Sequence, residues 1–218
     1  MTWDEISPLL RTATVETLQM TVWSAALSGL GGVLLGVLLV LTERGGLLPA
    51  PPVNKVLGAV VNVGRSLPFI ILMVAILPFT RAVVGTTIGT DAAIVPLTVA
   101  AIPFYARLVE TSLREVDPGV VAAAQAMGAS RWQIVGKVLL REARPGLVAG
   151  LTVTVIALIG YSAMAGTIGG GGLGDLADRY GYQRFETGVM VATVVVLIVI
   201  VQLVQMLGDL LARRLSHR

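Results

Sequence analysis

The chain has 218 residues, of which 55% are apolar and only 13% are charged, where a soluble domain carries about 25% charge. Mean hydropathy is +0.85 and cysteine is absent, which excludes a soluble globular domain, disulfides and thiolate metal sites and predicts one integral membrane domain over residues 1–218. A pI near 9.7 would suit a nucleic-acid binder, but in a membrane chain basic cytoplasmic loops account for it, and no nucleic-acid partner is expected.

Residues 1–16 carry Asp4, Glu5 and Glu16 and read as a polar tail or short surface helix rather than a signal peptide. Residues 17–42 are uncharged over 26 positions, enough for a hydrocarbon core that needs about 20. Gly29, Gly31, Gly32 and Gly36 within this first span permit close helix packing in lipid. A loop with Gly45, Gly46, Pro49, Pro51 and Pro52 leads to a second span at about 56–80, with Pro68 predicting a kink near its start. The third span, about 92–109, contains Pro96 and Pro103 and is expected to be an irregular, buried helix.

Residues 110–146 form the one long polar stretch with basic side chains along its length. Asp117 can cap a helix that begins at Pro118, and Gly128 can close it with a left-handed residue. Ser130 and Gln133 supply a capping box for a second helix. There Ile134, Val135, Val138 and Leu139 share one face while Arg131, Lys137 and Arg141 project elsewhere. The result is a bent pair of helices, a lever that something outside the membrane can push. Two more spans follow, about 147–165 and 187–210, separated by the glycine-rich run Gly166 to Gly174, which reads as a flexible turn. His217 sits in the basic tail as a solvated side chain.

Five spans place the termini on opposite sides. With the C-terminus cytoplasmic, twelve of the 16 basic residues fall inside and only Arg11, Arg81, Arg179 and Arg184 outside, as the positive-inside rule expects. The bent loop is then cytoplasmic and the N-terminus outside. No Walker A sequence, acid pair or His–Asp–Ser set is present, so no catalytic residue, metal site or cofactor is expected. Arg65 has two readings: a side chain that snorkels to the cytoplasmic interface, or a functional charge in a pathway. Tyr161 and Met164, at i and i+3, share a helical face that either packs ordinarily or lines a pathway.

The polar loop resembles the cytoplasmic loop of permease subunits in bacterial ABC importers: E-A-A, three residues, Gly, nine residues, Ile, one residue, Leu-Pro. Ala122-Ala123-Ala124 stands at the first element, Gly128 at the glycine and Val138 to Arg141 at the last. Ala122 replaces the acidic residue and Arg141 the final proline. Arg65 to Leu72, Ala93 to Thr98 and Gly160 to Gly174 are similar to permease subunits of bacterial methionine importers. That resemblance implies an all-α, five-span permease of the type I ABC importer fold, with no enzymatic activity of its own. It implies a homodimer joined by two cytoplasmic ABC ATPases and an extracytoplasmic substrate-binding protein, in the bacterial inner membrane. It assigns ATPase coupling to Ala123, Ala124, Met127, Gly128, Ala129 and Ser130, and the methionine pathway or gate to Tyr161, Ser162 and Met164. Import of another small amino acid or sulfur compound is the nearest alternative; a passive channel or membrane assembly subunit is the alternative of a different class.

Overall fold

The computed structural model describes residues 2–216, all of it helix and connecting turns among those residues. His217, with its expected solvated role, and Arg218 lie outside the described residues. Helix α1 (Trp3–Thr42) is followed by α2 (Pro51–Ser66), α3 (Phe69–Ala75), α4 (Leu77–Val84) and α5 (Thr90–Arg114). The polar loop holds α6 (Pro118–Ala126), α7 (Arg131–Gln133), a π-helical stretch Ile134–Leu139, and α8 (Leu140–Glu142). Then come α9 (Arg144–Ala165), a π-helical turn Gly166–Gly170, α10 (Gly172–Leu176), a π-helical stretch Ala177–Tyr182 and α11 (Thr187–Leu215). Four helices are long and apolar enough to cross a membrane, and the bent pair α2–α3 makes a fifth when it is taken as one broken span.

Several boundaries differ from the sequence reading for identifiable reasons. From Trp3 onward the expected polar tail is part of α1, which runs unbroken for 40 residues. Ile6, Leu10 and Ala13 recur at helical spacing and bury against Ile159, Leu173, Leu176 and Val189, so tertiary packing extends the helix through Pro8. The second span is not one kinked helix over 56–80. It starts earlier, at the Pro51-Pro52 pair that suits a helix N-terminus, and breaks by 105° between α2 and α3. Pro68 forces Leu67 into the extended region (φ −82°, ψ 128°), and the helix cannot pass. The third span, conversely, is longer and more regular than 92–109 suggests, because Pro96 and Pro103 are buried inside α5 rather than breaking it.

The α1–α5 seam is the spine of the subunit. A Cβ at Gly36 would lie 2.6 Å from Val109 Cγ1 and 2.7 Å from the Ala106 carbonyl oxygen, so only glycine allows the two backbones this close. At the base of the seam, Glu110 of α5 is 3% exposed and accepts from Arg107 (2.5 Å) and Arg114 (2.8 Å). Arg114 also reaches Glu43 just past α1 (2.7 Å), and Arg107 donates to Asn62 of α2 (2.6 Å).

The glycine-rich run is packed, not loose. Gly166, Gly170, Gly172 and Gly174 are buried, and the start of α10 is tied to α1: Gly172 N–H donates to Glu16 (2.7 Å) and Leu173 N–H to the Thr17 hydroxyl (2.8 Å). The seam predicts that Gly36→Val costs about 1–3 kcal/mol through overpacking and lowers the melting temperature of the purified subunit. Gly58→Ala, where a Cβ meets nothing within 4 Å, should leave it unchanged.

Candidate functional site

The polar loop folds as its caps predict. Asp117 accepts from Gly119 N–H at 2.7 Å with Pro118 at the first helical position. Ser130 accepts from Gln133 N–H (3.4 Å) while Gln133 accepts from Ser130 N–H (2.8 Å), a reciprocal capping box. Between them Gly128 adopts φ +78°, the left-handed turn that makes the elbow. The second arm is not one α-helix: after the short α7 it widens into a π-helical stretch, which turns Ile134, Val135 and Leu139 all into the subunit. These join Ala124 and Ala143 against Leu41, Tyr105, Val109 and Leu113 from the ends of α1 and α5.

The elbow therefore has an inner and an outer side. Of the residues expected to couple to an ATPase, Ala124 and Ala129 point back into that core and hold the bend. Ala123, Met127, Gly128 and Ser130 are exposed, Met127 at 81%. Beside them stands Trp132, 70% exposed, which the sequence reading did not single out. Its signal was available: a tryptophan in the first turn of a capped helix in a polar loop, two residues before Ile134 and so on the opposite side from it, has no core to enter.

The second set lies near the far end of α9. Tyr161 stacks on Phe69, the first residue of α3, with ring centroids 4.8 Å apart and planes 8° from parallel. Met164, one turn on, is 48% exposed. Ser162, expected beside them, is 1% exposed, and its hydroxyl donates to the Ile159 carbonyl of its own helix at 2.8 Å. It faces the subunit interior, because one residue along a helix turns a side chain by about 100°. The structure thus sets Tyr161 on Phe69, with Met164 one turn along the same helix, and leaves Ser162 apart. Among the described residues no cluster of three or more His, Cys, Asp or Glu could hold a metal ion.

A family model for binding-protein-dependent transport system inner membrane components matches residues 28–217. The probable D-methionine transport system permease protein MetI of Vibrio cholerae is 56% identical over 212 residues, covering 97% of this chain and 94% of that protein. The methionine import system permease protein MetP of Bacillus subtilis is 48% identical over 206 residues, 94% of this chain and 93% of that one. A solved structure of inward facing conformations of the MetNI methionine ABC transporter superposes with a TM-score of 0.97 at 46% identity, covering 100% of both chains. The sequence, the fold and the bent polar loop agree: the chain belongs to the family of binding-protein-dependent transport system inner membrane components.

Proposed function

We propose that this chain is the membrane-spanning subunit of an ATP-driven methionine importer. Two copies form the pathway, two cytoplasmic ATPases dock beneath the elbows, and a substrate-binding protein delivers cargo from outside. The observation that carries this reading is the elbow. It is capped at both ends and rooted in the core, and it offers Met127 and Trp132, 81% and 70% exposed, to a partner. A passive pore has no use for such a lever. The chain carries no nucleotide-binding motif, so ATP hydrolysis belongs to the partner and the elbow receives its motion. The near full-length likeness to two methionine permeases supports methionine as the cargo.

The orientation we infer puts the N-terminus outside and the elbow and C-terminus in the cytoplasm. Setting aside Arg65 and Arg107, which lie within spans, ten basic residues remain inside against four outside. Because the chain has no native cysteine, Ser130→Cys reports directly. An impermeant thiol reagent should modify it only when admitted to the cytoplasmic side; modification from outside would invert the scheme.

Gly128→Asp should leave the subunit inserted and dimeric. A Cβ there meets nothing within 4 Å, so the internal penalty is the left-handed strain alone, about 1–2 kcal/mol. The ATPase should bind less tightly, or hydrolyse ATP without uptake; pull-down and coupled-uptake assays decide, and normal coupling would remove the elbow from the mechanism.

Tyr161 and Met164 are assigned to the gate. In a homodimer each meets its own copy across the two-fold axis, and a flexible thioether can close in one state and part in another. Met164→Ala should raise leak or basal ATP hydrolysis, and Met164→Trp should block uptake while the complex still assembles. Parent-like transport and tightness in Met164→Ala would reduce the residue to packing.

A further inference from the structure

Helix α2 sorts its side chains onto three faces. Leu57, Val61 and Gly64 turn toward α1 and α5, and Val61 is fully buried. Val53, Val56, Val60 and Val63 form an apolar face, each 50–63% exposed. At about 100° per residue, the remaining arc collects Lys55, Gly58, Asn62, Arg65 and Ser66. An intramembrane helix with an apolar outer face and a separate exposed polar face meets two different surroundings. The valines suit lipid or protein; the polar arc calls for water.

The polar groups on that arc and beside it are answered except two cations, Lys55 near the start of α2 and Arg65 at its other end. Asn62 accepts from Arg107, and Ser66 donates to the Asn62 carbonyl at 2.8 Å. Arg107 and Arg114 are balanced by Glu110 and Glu43. Arg65 is exposed and makes no hydrogen bond or ion pair to any described residue. It is also deep. Its neighbour Gly64 lies against Pro103, where a Cβ would come within 2.9 Å of the proline ring. Pro103 stands near the middle of the 25-residue α5, roughly 17–20 Å from either end. A lipid phosphate sits at the surface of a core about 30 Å thick, not at this level.

Arg65 also stands at the broken end of α2, where the chain turns by 105° into α3. Discontinuous membrane helices place polar backbone and charge where a solute crosses. Phe69, four residues on, stacks on Tyr161, with Met164 one turn further along α9. A free cation is thus followed by aromatic and thioether surface.

We propose that Arg65 receives the α-carboxylate of the cargo as it crosses, while the aromatic pair and Met164 accompany its apolar side chain. The site fits an uncharged-side-chain α-amino acid, and it rests on the importer reading above. Here the arginine positions a carboxylate midway, which neither the elbow nor the gate does.

The test uses Arg65→Cys in the otherwise cysteine-free chain, assembled with its ATPase and binding protein in vesicles. Methionine uptake per ATP hydrolysed should fall about tenfold or more, the size of a lost charge-assisted hydrogen bond. A water-soluble aminoethyl thiosulfonate should react with the cysteine, restore a cation and recover uptake; its sulfonatoethyl analogue should react without recovery. Uptake within about twofold of the parent (less than one hydrogen bond), absence of reaction with either reagent, or equal recovery with both would overturn the proposal. A loss that tracks the anionic phospholipid content of the vesicles would assign Arg65 to a lipid headgroup and overturn it too. If Arg65→Cys does not assemble, Arg65→Lys and Arg65→Gln carry the same comparison, with uptake expected only where charge is kept and equality contradicting the proposal. A parent complex that imports a different α-amino acid overturns the cargo assignment alone, and the Arg65 comparison is then read on that amino acid.

Discussion

The buried carboxylate of Glu110 is the constraint on which the half of the subunit that carries the elbow depends. A charge 3% exposed must be paired, and stripping both arginines would leave it buried and uncompensated. Its partners Arg107 and Arg114 bracket it on α5, and through them Asn62 of α2 and Glu43 beyond α1 are drawn to the same point. Three residues after Arg114 the chain reaches Asp117 and enters the elbow. Motion delivered to the elbow, as the proposed function requires, would arrive at a node that already joins three spans. The apolar cluster of Ile134, Val135 and Leu139 against Leu41 and Val109 gives the same connection a stiff, close-packed form.

The opposite half is held differently. There the backbone of the glycine-rich run approaches α1 and α9 closely enough that side chains would not fit, and Glu16 and Thr17 satisfy the first N–H groups of α10. Glycines spread along lipid-facing helices supply packing that the hydrophobic effect cannot drive between helices in a bilayer. Only in this frame can α3 stand across from α9 with Phe69 on Tyr161.

Local chemistry was legible in the sequence, and distant packing was not. The caps at Asp117 and Ser130 and the turn at Gly128 involve residues within three positions of one another, and the structure keeps each. Arg131, Lys137 and Arg141 lie outside and Ile134 and Val135 inside, as their polarity expects, although the π-helical stretch and not a regular α-helical period sets the split. The continuation of α1 through residues 3–16 was hidden, because Asp4, Glu5 and Glu16 lower the hydropathy while Ile6 and Leu10 find partners more than 140 residues away. The prolines misled in both directions. Pro68 breaks its span entirely and Pro103 breaks nothing, since burial among neighbours decides what a proline does in lipid. The resemblance groups Ser162 with Tyr161 and Met164, where helical rotation separates it from them.

The central claim is that this subunit is a pathway moved by an external motor. Reconstitution of the homodimer into vesicles with and without the cytoplasmic ATPase, in the presence of the binding protein and labelled methionine, tests it most directly. The account predicts accumulation above the equilibrium level only when the ATPase and ATP are both present, and a closed membrane otherwise. Equilibration of methionine through the homodimer alone, at a rate indifferent to ATPase and ATP, would contradict it.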